Sequence, residues 1–130
     1  MTSSQVPAPG AIEWCDLTVP EASELRPFYE AVVGWEVTEH PMGEYSDYCL
    51  ARPGEENPVA GLCHARGSNQ NLPAQWLIYV RVTDVESSVA RCCELGGEVL
   101  DGPRPMGGDL FCAIRDPQGA VLGLVSSLKK

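Results

Sequence analysis

Two histidines, six cysteines and eighteen carboxylates are the side chains of this 130-residue chain that could do chemistry. A shared metal ion needs several such donors converging, and the spacing does not provide that. His40 precedes Pro41 and reads as a turn residue. His64 follows Cys63 at a strand end, where neighbouring side chains point to opposite faces, so the two do not serve one ion together. Cys15, Cys49, Cys63 and Cys112 each sit in an apolar stretch, as reduced core thiols do. Cys92-Cys93 is a vicinal pair without CxxC spacing. GxSxG, P-loop and GxGxxG patterns are absent from the sequence. Cys–His catalysis would rest on a proximity in space that spacing does not reveal, and no carboxylate pair stands out. The catalytic residues, if any, are therefore unknown at this level.

The composition narrows the partners. With 44% hydrophobic and 21% charged residues the chain reads as one soluble globular domain. Its net charge of −9 argues against nucleic acid and anionic membrane, since the only adjacent basic pair is Lys129-Lys130. No apolar run reaches the roughly 20 residues of a membrane span. The opening MTSSQVPAPGA lacks the features of a secretory signal, so a cytoplasmic location with reduced cysteines is expected, and residues 1–10 read as a disordered tail.

The elements that must position any site come in duplicate. HPMGEYSDYCLAR (40–52) is echoed by RPMGGDLFCAIR (104–115), with Pro41-Met42-Gly43 matching Pro105-Met106-Gly107 and Cys49 and Arg52 matching Cys112 and Arg115. GWEV (34–37) and VAGL (59–62) match GGEV (96–99) and VLGL (121–124). Each copy predicts a strand (12–19; 76–83), a helix (about 21–33; 84–95) and three shorter strands (about 35–39, 46–51, 58–63; 97–100, 109–115, 119–125). Ala22, Leu25, Tyr29 and Val32 form the buried stripe of the first helix, and Val85, Val89 and Cys92 that of the second. Thr83 and Glu86 suggest a capping box, and Gly96 a C-terminal stop. Pro27 predicts that the first helix begins near Ser23 or is kinked. RGSNQNLP (66–73) is the linker between modules 11–65 and 74–126 of a single domain.

WCDLTVPEASELRPFYEAVVGWEV, ELGGEV and RDPQGAVLGLV, in this order and spanning residues 11 to about 126, resemble the glyoxalase/bleomycin resistance/dioxygenase, or vicinal-oxygen-chelate, superfamily. The resemblance implies an α+β fold in which two tandem βαβββ modules form a curved mixed sheet, a cup, with helices on the outside. It also implies a homodimer and a small organic molecule as partner. Many such proteins hold a divalent metal, and the positions that match their ligands are Trp14, Gly61, Leu77 and Gly123. None supplies a donor, and a one-residue shift would bring in only Glu13 or Trp76. No metal and no cofactor is expected.

Strand alternation then predicts the cup lining. Trp14, Asp16 and Thr18 face one way, Cys15, Leu17 and Val19 the other. Leu77, Tyr79 and Arg81 face the cup, and Ile78, Val80 and Val82 their helix. Tyr48, Phe111 and Arg115 are further candidates from facing strands. Trp14 would stack on a flat ligand, Arg81 would pair with a ligand carboxylate or with Asp16, and Gly61 and Gly123 would leave space. This predicts a small-molecule-binding protein or metal-independent enzyme. The alternatives are a metal-dependent lyase or dioxygenase with displaced ligands (Glu13, His64, Cys63, Asp16) and a non-catalytic interaction module with a filled cup.

Overall fold

The computed structural model describes residues 8–128. The first seven residues of the expected tail, and Lys129-Lys130, lie outside the described residues. Among the described residues the fold is α+β, with eight strands and two α-helices, in two compact units: Trp14–Leu77, and residues 8–13 with 78–128.

In the Trp14–Leu77 unit, strand β1 (Ile12–Val19) is followed by α1 (Ala22–Val32), β2 (Glu36–Pro41), β3 (Ser46–Ala51) and β4 (Pro58–His64). The strand order is β2-β3-β4-β1, with β1 parallel to β4 and the other pairs antiparallel. Leu17, Leu50, Ala60 and Leu62 pack with Ala22 beneath α1, each fully or nearly buried, and Tyr29, Trp35 and Trp76 close this core. Trp76 meets Tyr29 edge-on with centroids 5.3 Å apart and donates its indole N–H to the tyrosine oxygen at 3.1 Å. The helix begins at Ala22 and runs through Pro27. The buried stripe stops short of expectation, because Val32 is 64% exposed.

In the other unit, β5 (Trp76–Arg81) leads to α2 (Val85–Glu94), β6 (Glu98–Met106), β7 (Asp109–Arg115) and β8 (Val121–Ser127). The order is β5-β8-β7-β6, with β5 parallel to β8. Val85, Cys112 and Leu124 form its core under α2, joined by Val82 and Val89. The N-cap is Asp84, whose Oδ2 accepts the Ser87 N–H at 3.2 Å, in place of the Thr83–Glu86 box. Gly96 closes the helix at φ +97°, a conformation that favours glycine. β6 is longer than expected because two register shifts around Asp101 carry pairing past Pro103.

The glycine at the foot of β6 makes a first test. A Cβ on Gly97 would lie 2.6 Å from Cys92 Sγ and 2.8 Å from the Arg115 carbonyl oxygen. Since that oxygen is backbone, Gly97→Ala is expected to cost about 1–3 kcal/mol in chemical denaturation. No helix of the described residues is long and apolar enough to cross a membrane.

Candidate functional site

With Leu17 turned towards α1, alternation along β1 turns Trp14 and Asp16 to the opposite face. The pairing carries this face across the unit: Asp16 lies beside Gly61, and Gly61 beside Cys49. Together with Asp47 and Cys63 they line a hollow of about 220 Å³, and His40 and Met42 border it from the end of β2. The indole N–H of Trp14 donates to Asp16 Oδ2 at 3.2 Å, which fixes the ring. A Cβ on Gly61 would lie 3.2 Å from Asp16 Cβ and 3.5 Å from Trp14 Cζ2. That glycine makes room for the indole, where the sequence suggested room for a ligand.

The hollow is acidic, with two carboxylates and no Lys or Arg on its walls. Its Cys63 thiol is a poor ligand. Burial, reinforced by Asp16 and Asp47, pushes the Cys63 thiol far above the ordinary cysteine value. Metal ligation requires a thiolate, and this environment opposes one. Among the described residues no three His, Cys, Asp or Glu side chains converge to hold a metal ion. The residues present therefore do not fit the divalent ion that the resemblance implies, and no step is derived through one.

The same physics gives a labelling pattern. Cys93 is exposed, while Cys112 is buried with its thiol pushed up to about 11, chiefly by desolvation. Brief iodoacetamide treatment at neutral pH is expected to modify Cys93 first. Cys63 and Cys112 should react only after unfolding, as peptide mass spectrometry would read out.

The equivalent face of the other unit is filled. Tyr79 stacks on Phe111 with centroids 5.4 Å apart, and the Arg104 guanidinium lies 5.2 Å over the Phe111 ring. Gly123 lies close under both, since a Cβ there would come within 3.2 Å of Phe111 Cε1 and 3.4 Å of Tyr79 Cδ2. Arg81 is 6% exposed and committed to partners of its own unit. Its Nε and Nη2 donate to the Glu13 carboxylate at 2.9 and 2.7 Å, and Nη1 and Nη2 to Asp109 at 3.1 Å each. These two carboxylates hold the guanidinium strongly protonated and occupy the donors that the sequence reading offered to a ligand or to Asp16.

The sequence-derived candidates thus separate. Trp14 and Asp16 meet in the hollow. Tyr48 borders it, but its ring belongs to the core under α1, and Leu77 is buried. In the other unit Tyr79 stacks on Phe111, Arg81 is held by Glu13 and Asp109, and Arg115 pairs with Glu98 near the surface at 3.1 Å. Glu13 serves Arg81, and His64 contacts groups on the α1 side, so neither joins Asp16 and Cys63 as the displaced-ligand alternative requires. The sequence reading missed Met42 and Asp47, took His40 for a turn residue and Cys49 for a core thiol, and named Cys63 only as a core thiol or displaced metal ligand. The signal for Cys49 and Cys63 was the alternation around Gly61, two residues before Cys63. His40 lies in a strand and not in the expected turn, because β2 runs on to Pro41 and pairs His40 with Asp47.

The fold is that of a known class, and sequence comparison names it. The chain belongs to the Glyoxalase/Bleomycin resistance protein/Dioxygenase superfamily, whose profile matches residues 11–124. It is similar to CFP32 of Mycobacterium tuberculosis, provisionally named a glyoxylase, at 29% identity over 117 residues, 88% of this chain and 45% of that protein. It is also similar to the anthracycline biosynthesis protein DnrV of Streptomyces peucetius, at 26% identity over 129 residues, covering 90% of this chain and 47% of that one. The chain therefore spans about half the length of these curated relatives. Among solved structures, a Streptomyces coelicolor methylmalonyl-CoA epimerase in complex with 2-nitronate-propionyl-CoA shares the fold, with TM-score 0.53 and 19% identity over 92% of this chain and 96% of that one.

Proposed function

We propose that the chain is a metal-independent small-molecule-binding domain whose Trp14 hollow takes a flat aromatic group bearing a positive charge or hydrogen-bond donors. The carrying observation is the indole held by Asp16 over a cavity with Asp47 on its wall and no Lys or Arg among its lining residues. Aromatic faces and a few convergent polar groups make a small-ligand site, and carboxylates in a concave, poorly hydrated surface attract cations. The hollow is smaller than the about 300–1,000 Å³ usual for a whole drug-sized ligand, so a ring-sized part of one would enter it. The likeness to an anthracycline biosynthesis protein supports a fused-ring ligand. A phosphate-rich coenzyme thioester fits an acidic hollow poorly.

The reading carries no catalytic step. A cytoplasmic homodimer belongs to the same proposal, with Phe28, Val32 and Val33 giving α1 an exposed apolar flank that a second copy would cover. Sedimentation equilibrium checks that part. For the ligand, an amino-sugar anthracycline is a practical probe because its own fluorescence reports binding. Asp16→Asn keeps an acceptor for the indole and removes one charge. It is expected to weaken the probe about 3- to 10-fold at low salt and much less at high salt, where screening shortens the reach of the carboxylate. Equal affinities for both proteins at low salt would refute the electrostatic part of the proposal.

A further inference from the structure

We propose that Ser23, His64 and Asp47, which meet where α1 and β3 begin and β4 ends, form a nucleophilic acyl-transfer site acting on carboxylic esters that are neutral or positively charged. The three side chains lie in one chain of hydrogen bonds. Asp47 Oδ1 is 3.2 Å from His64 Nδ1 and also accepts the His64 backbone N–H at 2.8 Å. His64 Nε2 is 3.3 Å from Ser23 Oγ. The carboxylate accepts only, so Nδ1 carries the proton and Nε2 is left to accept from the serine. Tyr48 completes the order, its hydroxyl 2.7 Å from Oγ and donating to it. Every donor then has an acceptor, and the sequence of roles is that of a serine nucleophile, its base and the carboxylate that orients the base.

Burial divides the three in the useful way. His64 and Asp47 are 8% and 6% exposed, and Tyr45 packs edge-on against the imidazole at 5.3 Å. Ser23 is exposed, so the nucleophile is open while its base is shielded from water. Ser23 is the second residue of α1, where backbone N–H groups lack intrahelical acceptors and the helix dipole favours negative charge. Glu21 and Glu24 flank Ser23 in this turn, and their carboxylates disfavour an anionic substrate.

In the reaction Ser23 Oγ attacks the ester carbonyl carbon while its proton passes to His64 Nε2. The Tyr48 hydroxyl, 2.7 Å from Oγ, is the donor placed to meet the tetrahedral oxyanion. Collapse breaks the bond to the leaving alkoxide, which takes the proton from His64 and departs as an alcohol, leaving an acyl-serine. Water then gives a proton to Nε2 and attacks the acyl carbon, and release of the carboxylic acid returns that proton to Oγ. The serine–imidazole contact is long, as such contacts are before substrate binds.

The test uses the full chain with a fluorophosphonate probe and p-nitrophenyl acetate. The probe is expected to attach to Ser23, identified by peptide mass spectrometry, and ester hydrolysis to show a burst of about one equivalent. Ser23→Ala changes an exposed side chain, so it should fold as the parent does while losing both signals. Asp47→Asn is expected to slow labelling about tenfold or more at saturating probe, with the half-saturating concentration unchanged, which a merely structural role would not produce. Failure of the folded parent to label above Ser23→Ala, or labelling confined to another residue, overturns the proposal. Neither result bears on binding in the Trp14 hollow, which the anthracycline titration reads separately.

Discussion

Replacing Arg81 by methionine is expected to lower stability by about 3–5 kcal/mol, read as a reduced urea midpoint with little change in slope. Methionine restores most of the buried stem, so the loss is electrostatic. The guanidinium spans two carboxylates with four hydrogen bonds, and its removal leaves Glu13 and Asp109 facing each other without a cation. Side-chain exposures of 22% for Glu13 and 33% for Asp109 give these groups partial access to water, which places the expectation at the low end of that range. Arg81→Lys should recover only part of it, because an ammonium cannot reproduce two bidentate pairs. The compensating test is Glu13→Gln combined with Asp109→Asn in the methionine background, which should restore about half of what was lost by removing the unpaired charges. A methionine variant as stable as the parent would mean that the cluster is solvated and weak.

Phe111→Ala is the second large effect, about 3–5 kcal/mol. The ring is fully buried, stacked on Tyr79, covered by Arg104 and seated on the bare backbone of Gly123. Truncation leaves a cavity that three neighbours would have to collapse into, and all three are fixed by strands. Phe111→Leu should cost about 1–2 kcal/mol less than alanine, since it refills part of that volume. The same packing makes the two effects couple. Arg104 also donates to Asp101 at 2.9 and 3.0 Å, so it cannot swing freely into the space. Thermal melts of the single variants and of the double variant with Tyr79→Leu would show the losses adding to less than their sum, as neighbours in one stack do.

Much of this was written in the residues, and the limit was register. Along β1 the split between Leu17 and Val19 on one side and Trp14 and Asp16 on the other follows from a period of two, and the structure keeps it. The alternation in β5 holds equally, with Leu77, Tyr79 and Arg81 each nearly buried. What a strand's face touches depends on its neighbour, and there a one-residue uncertainty reverses the answer. Sequence matching sets Cys49 against Cys112. The pairings place Cys49 opposite Gly61 on the hollow side, whereas Ala113 stands opposite Gly123 and Cys112 packs under α2. The partners of Arg81 were hidden for the same reason, because Glu13 and Asp109 come from strands whose offsets the pattern does not state. Ser23, His64 and Asp47 were further from view still: three unremarkable residues on a helix and two strands, joined only once β3 and β4 are paired.

The account's central claim is that a ring of the ligand settles on Trp14 without help from a metal ion. The most direct measurement is an equilibrium titration of the amino-sugar anthracycline into the full chain, in excess chelator, beside Trp14→Ala. Saturable binding of one probe per chain, unchanged by chelator and weakened about tenfold or more by loss of the indole, is the expected result. Binding that appears only when a divalent ion is added, or that is indifferent to Trp14, would contradict it.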